Sequence, residues 1–317
     1  MAVLSDCCSK PRVVVIGGPT ATGKTALSVA LARRYHGEIL SADSMQIYRG
    51  LDVGTAKVTP DEMQGIPHHL LDILPPDQPF SVADYVALAG RTITEITGRG
   101  CLPFVVGGTG LYISSLLGGL TFTEEKADPS IRQALQRRLQ AEGPQALYEE
   151  LCRIDPDYAA GVHPNNTTRV IRALELYRAT GRRMSEERRN AVPVEAPYRS
   201  LCLCLTCRDR ALLYRRIDQR CDRMMEQGIL KEAEYVYRHR DTFRTAAQAI
   251  GYKEFFPYFE GSADLNDCLV RLKQASRNYA KRQLTWFRRQ TPAVWLYLED
   301  GDLVGQAEPY LTAFLQS

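Results

Sequence analysis

No stretch of these 317 residues approaches the ~20 apolar residues that cross a bilayer. The opening "MAVLSDCCSKPR" lacks the charged and apolar halves of a signal peptide and reads as a short extension before the first strand. Nine cysteines, an odd number without a paired pattern, argue against a disulfide framework and for a cytoplasmic chain with no membrane partner. There is no internal repeat and no low-complexity tract. The net charge of +3 is too small to announce nucleic acid by itself. Hydrophobic content of 44% and charged content of 24% suit a soluble globular protein with one large or two modest domains.

Two local shortages say more. Residues 270–290, "VRLKQASRNYAKRQLTWFRRQ", hold seven Lys or Arg and no acid. A solvated charge run is the ordinary reading, yet Tyr279, Trp286 and Phe287 are interleaved, which suits phosphate contacts beside stacking surfaces. The apolar segment "LPFVVGG" (102–108) ends in glycines where a motor or switch ATPase would place an Asp for its metal. That favours transferases, small-molecule kinases among them.

What is present begins with "GGPTATGKTALS", which follows the buried-strand pattern "RVVVI" and fits G-x-x-x-x-G-K-[ST] from Gly18 through Gly23, Lys24 and Thr25. Such a loop turns successive backbone N–H groups and a helix N-terminus toward phosphate oxygens. Lys24 would add a point charge, and the Thr25 hydroxyl would be a ligand for Mg²⁺. Strand, loop, helix, a second strand "GEILSAD" (37–43), the helix at 81–100 capped by Ser81, and a third strand at 102–108 predict an α/β fold. Its core is a P-loop-type parallel sheet flanked by helices. From about 124 to 197 only helical spacing appears (Leu135, Leu139, Leu147, Leu151, then 165–181 stopped by Gly181), an all-helical insertion. "YRSLCLCLT" (198–206) returns as a strand that rejoins the sheet, and the remainder reads as mostly helical. The expected organisation is a core over 1–123, the insertion over 124–197 and the second part of the core over 198–317.

Ligands of open parallel sheets sit at the carboxyl ends of the strands. There the second strand offers Asp43, Ser44 and Gln46, and the third offers Thr109 among Gly107, Gly108 and Gly110. Asp43 could help hold Mg²⁺, take a proton from an acceptor, or be a turn residue. Arg216 and Arg220 lie four apart on one helix face, where they could clamp a diphosphate or simply face solvent. Cys202, Cys204 and Cys207 lack a fourth zinc ligand and read as core, while His68 and His69 read as structural.

Taken together, "GGPTATGKTALS", "ILSADSMQIYRGLDVGTAK", "PHHLLDI", "SVADY", "VVGGTGLYISSLL", "RVIRALELYRATG", "IGYKE" and "KRQLTWFRR" resemble the tRNA dimethylallyltransferases, also called tRNA isopentenyltransferases. The resemblance implies transfer of a dimethylallyl group from dimethylallyl diphosphate to N6 of adenosine 37, next to the anticodon of tRNA, with Mg²⁺ required and pyrophosphate leaving. It implies that Gly18, Thr20, Ala21, Thr22, Gly23, Lys24 and Thr25 meet the donor diphosphate, with Arg220 and Arg216 gripping pyrophosphate. Asp43 would be the general base, Thr109 and Arg132 would lie beside the reacting groups, and Ser44, Met45 and Gln46 would hold the base. The segments Thr168, Arg169, Val170, Ile171, Arg172; Gly251, Tyr252, Lys253; and Lys281, Arg282, Gln283, Trp286, Arg288 match tRNA-contacting motifs. A monomer is expected. One departure is "HPNNTTRVIR", where the family commonly has Asp at Asn166; a capping role for Asn166 fits either way. No zinc-finger tail follows, which within the family suggests a bacterial or organelle-type enzyme. An adenylate isopentenyltransferase acting on free AMP, ADP or ATP shares the donor loop but needs no RNA grip. A P-loop small-molecule kinase would use Asp43 on an acceptor hydroxyl.

Overall fold

The computed structural model describes residues 10–118, 128–190, 196–290 and 292–317. The extension at 1–9, with Cys7 and Cys8, and the composition shift at 123–127 lie outside them. The chain divides into two compact units, Met1–Gly119 with Ala196–Ser317, and Leu120–Glu195.

In the first unit, six strands form one parallel sheet: β1 (Arg12–Gly17), β2 (Gly37–Ser41), β3 (His68–His69), β4 (Leu102–Val106), β5 (Arg199–Thr206) and β6 (Val294–Tyr297). Their order is β3-β2-β4-β1-β5-β6, with β1 in register against β4 (Val14 beside Phe104) and β5 (Val14 beside Leu201). A central strand needs apolar residues on both faces. Accordingly Val13 and Val15 enter one core, with Cys202, Cys204 and Phe287, while Val14 and Ile16 enter the other.

The connections are α1 (Lys24–Arg34), the short α2 (Pro60–Met63), α3 (Val82–Gly98) and α4 (Gly110–Leu117). Ser81, the cap expected from the sequence, forms a reciprocal capping box with Asp84 at the start of α3. After β5 come α9 (Arg210–Glu226), α10 (Ile229–Arg238), the short α11 (Phe256–Phe259), α12 (Leu265–Gln290) and α13 (Leu303–Gln316).

Two strands were not expected. β3 is a two-residue edge, too short for any periodicity. β6, "VWLY", is an apolar run after Pro292 inside a region read as helical. Cys202, Cys204 and Cys207 are buried, and burial pushes their thiols up to about 11, 12 and 11. Among the described residues no group of three His, Cys, Asp or Glu could hold a metal. No helix there is long and apolar enough to cross a membrane.

The second unit is helical: α5 (Pro129–Ile154), α6 (Pro156–Ala159), α7 (Thr167–Thr180) and α8 (Met184–Asn190). α5 bends where Gly143 takes φ 80° ahead of Pro144. Its Leu135, Leu147 and Leu151 bury against Val170, Ile171 and Leu174 of α7. Asn166 caps α7, its Oδ1 accepting from Arg169 N at 3.4 Å, and Gly181 ends the helix at φ 74°.

The lower edge of the sheet is pinned by a buried acid. Glu38 on β2 accepts from Arg99 Nε (3.1 Å) and Nη2 (2.7 Å) and lies 2.6 Å from His69 Nε2 on β3. These partners, Arg99 first, overcome burial and hold the carboxyl at about 2, against an ordinary 4.5. A depressed carboxyl stabilises the fold above its unfolded pKa and loses that contribution as pH falls through the folded one. Glu38→Gln should therefore lower the unfolding midpoint at pH 7 by ~3–6 °C and flatten the loss of stability between about pH 4.5 and 2. Unfolding curves across that range with the wild-type slope would contradict this role.

Candidate active site

Four strand ends meet where backbone must come close. A Cβ at Gly18 would overlap the Leu205 carbonyl, and one at Gly107 would overlap the Ala42 carbonyl. Gly18 also takes φ +129°, which favours glycine. These contacts draw the ends of β1, β2, β4 and β5 into one surface.

The loop after β1 wraps toward α1, whose N-cap Gly23 (φ 87°) supplies no side-chain cap. The first-turn N–H groups are thus left for an anion. Lys24 Nζ folds back on the carbonyls of Pro19 (2.8 Å) and Gly18 (3.1 Å), and Thr22 Oγ1 donates to Pro19 O at 2.9 Å. From α9, Arg216 Nε donates to Ala21 O at 2.8 Å, and Arg220 Nη1 bonds Thr20 Oγ1. Both arginines read as one helix face do reach the same loop. Burial lowers Arg220, and burial with the Arg220 charge brings Lys24 down to about 8; the Asp43 carboxylate opposes the shift in each.

Asp43 sits just past β2 in a tight turn. Its Oδ1 accepts from Met45 N (2.9 Å) and Gln46 N (3.4 Å), whereas Oδ2 accepts no hydrogen bond from any described residue. Thr109 Oγ1 accepts from Ser44 N at 3.1 Å, joining the ends of β2 and β4. The Gln46 amide is fixed on both sides, Oε1 accepting from Ser41 Oγ (3.0 Å) and Nε2 donating to the carbonyls of Thr55 and Ala56 (3.3 Å each). Tyr279 of α12 completes the wall; burial, reinforced by Asp43, pushes its hydroxyl up to about 12. The Thr25 hydroxyl is exposed and makes no hydrogen bond to a described residue.

Several expected contacts look inward instead. Gly251 and Tyr252 are buried, and the Tyr252 hydroxyl donates to Glu232 Oε1 at 2.7 Å. Glu232 also accepts from the backbone N–H groups of Asp52, Val53 and Gly54 at 2.8, 2.9 and 2.8 Å. "IGYKE" therefore braces the loop whose carbonyls hold Gln46, and of its three named residues Lys253 alone is exposed. Gln283 is buried and Trp286 is half-buried, while Lys281, Arg282 and Arg288 face outward from α12.

In the helical unit, Val170 and Ile171 belong to the core, so their side chains are not available to RNA; Thr168, Arg169 and Arg172 are exposed. Arg132 stands on α5, 3.3 Å from Glu175, which also lies 3.2 Å from Arg172. Glu232 and Glu175 were not singled out in the sequence. Each works through partners distant in the chain or through its burial, which no short motif displays.

The family described as IPP transferase matches residues 46–290, and one described as Isopentenyl transferase matches residues 11–73. A tRNA dimethylallyltransferase of Bacillus subtilis is 50% identical over 287 residues, covering 90% of this chain and 91% of its own. That of Geobacillus thermodenitrificans is 49% identical over 289 residues, covering 91% of each. Among solved structures, the tRNA isopentenylpyrophosphate transferase of Bacillus halodurans matches with TM-score 0.72 at 44% identity, covering 97% of both chains. A eukaryotic dimethylallyltransferase seen acting on tRNA matches with TM-score 0.78 at 29% identity, covering 96% of this chain and 80% of its own.

Because Lys24 titrates near 8, anion affinity should fall as pH rises through that value and the ammonium is lost. Calorimetry with inorganic pyrophosphate should show weaker binding at pH 9 than at pH 7, with that pH dependence reduced in Lys24→Met. Identical pH profiles for the two proteins would contradict a role for the Lys24 charge.

Proposed function

The chain belongs to the IPP transferase family, and from that premise we propose that it transfers a dimethylallyl group from dimethylallyl diphosphate to N6 of the adenosine beside a tRNA anticodon. The observation that carries the reading is the pairing of two partly desolvated cations, Lys24 and Arg220, with a carboxylate, Asp43, one of whose oxygens accepts no hydrogen bond from any described residue. Cations and uncapped N–H groups suit a leaving diphosphate; that oxygen suits a proton.

In this reading the donor diphosphate lies on Thr20 to Thr25, with Arg216 and Arg220 at its side. The adenine N6 attacks C1 of the allyl group as the C1–oxygen bond breaks. The bonding pair leaves with pyrophosphate, whose charge is met by the α1 N–H groups, Lys24 and Arg220. The N6 proton passes to Asp43, a needed step because that amine is barely basic. Bound Mg²⁺ would supply further charge neutralisation on the leaving oxygens. Thr25, exposed and with a hydroxyl that bonds no described residue, would be the protein's ligand to such an ion.

The acceptor must be unstacked to reach Asp43, and RNA loops with splayed bases are gripped by aromatic and basic surfaces. Lys281, Arg282 and Arg288 on α12 supply exposed charge for that purpose; the helical unit, taken by itself, also exposes Arg169 and Arg172 on α7. The shorter match over 11–73 spans the donor loop and Asp43, which any isopentenyl transfer would use, and so does not choose the acceptor.

The test is single-turnover transfer from labelled dimethylallyl diphosphate to unmodified tRNA. Asp43→Ala should lower the rate at least ~100-fold while tRNA affinity stays within about twofold. Retained turnover with a large loss of affinity would make Asp43 a binding residue. Replacing Lys281, Arg282 and Arg288 by Ala together should reduce the slope of log affinity against log salt by about 2. An unchanged slope would mean that this face meets only solvent.

A further inference from the structure

α12 has two faces, and the inner one has no role in the transfer as written above. Gln283 is 5% exposed there. Its Oε1 accepts from Thr20 N at 3.1 Å, and its Nε2 donates to Gly108 O at 3.0 Å. One amide therefore ties the loop after β1 to the loop after β4. Gly108 is shaped to it, since a Cβ there would overlap Gln283 Nε2. One turn earlier Tyr279 lies beside Thr109 and Gln283, and one turn later Trp286 and Phe287 cover Gly110 and Gly17.

The first contact fixes a peptide plane. The Pro19–Thr20 peptide gives its N–H to Gln283 and its carbonyl to Lys24 Nζ and Thr22 Oγ1. If this plane turned over, the carbonyl that orients Lys24 would leave and the loop would lose its present set of donors. The second contact fixes Gly108, next to the Thr109 hydroxyl that holds Ser44 N beside Asp43.

We infer that Gln283 is a positioning residue that locks the donor loop to the acceptor side of the site, and that it does not itself touch RNA. The inference rests on the prenyl-transfer reading for the names of those two sides. It assigns one helix two tasks, with Lys281, Arg282 and Arg288 outward and Gln283 inward.

Gln283→Met keeps the volume and removes both hydrogen bonds. In the RNA-free protein it should weaken inorganic pyrophosphate binding ~10-fold, the effect of losing a buried hydrogen-bonded pin. It should also lower kcat at saturating donor, while tRNA affinity and its salt slope stay as in wild type. Lys281→Ala/Arg282→Ala should do the reverse, weakening tRNA and sparing pyrophosphate. Unchanged pyrophosphate affinity in Gln283→Met, whatever happens to tRNA, overturns the inference. If that variant does not fold, hydrogen exchange of the Thr20 amide in the wild type decides: slow exchange supports the pin, and exchange at the rate of a free loop amide overturns it. Wild-type protein that binds no pyrophosphate would instead contradict the prenyl-transfer reading, leaving the exchange result to judge Gln283.

Discussion

Burial disfavours the charged forms of Lys24 and Arg220, and the Asp43 carboxylate opposes that shift in each. Two cations and one carboxylate leave the site short of negative charge, so a diphosphate completes it more fully than a neutral ligand could. The remaining architecture serves to keep these three groups at one place. Glycines allow the strand ends to touch, and α9 brings Arg216 and Arg220 to the loop carbonyl of Ala21 and the hydroxyl of Thr20.

The same logic of buried polar groups recurs around the site. Glu232 gathers three consecutive backbone N–H groups and a buried tyrosine hydroxyl, which shapes the loop that orients Gln46. Glu175 in the helical unit, almost fully buried, sits against Arg132 and Arg172 and fixes where those exposed guanidinium groups stand. In each case one carboxylate, half-buried in Glu232 and almost fully buried in Glu175, gathers several donors and holds its neighbours in one arrangement.

Much of the fold was legible in the sequence because its signals are local. The apolar runs gave β1, β2, β4 and β5, and Ser81 marked the start of α3. β3 and β6 were missed: two residues carry no pattern, and "VWLY" was absorbed into helical surroundings. At the site, the position of the loop after β1, of Asp43 at a strand end and of Arg216 and Arg220 on one helix face was legible from motif, strand-end position and i, i+4 spacing. What escaped was the inward side of α12. A basic helix shows its charges in sequence, but Gln283 acts on Thr20 across 263 residues and on Gly108 across 175, and no window spans that. Tyr252, Val170 and Ile171 stand in segments matched to tRNA contact, yet their side chains are buried, because a motif does not reveal which of its members are spent on packing.

The most direct measurement offers labelled dimethylallyl diphosphate and Mg²⁺ to the purified protein with unmodified tRNA and AMP as competing acceptors, then identifies the labelled nucleoside after digestion. Label on an adenosine beside the anticodon, with none on AMP, is the expected result. Label on AMP alone would keep the Lys24, Arg220 and Asp43 chemistry but contradict the assignment of tRNA as acceptor, and the outer face of α12 would be an ordinary charged surface.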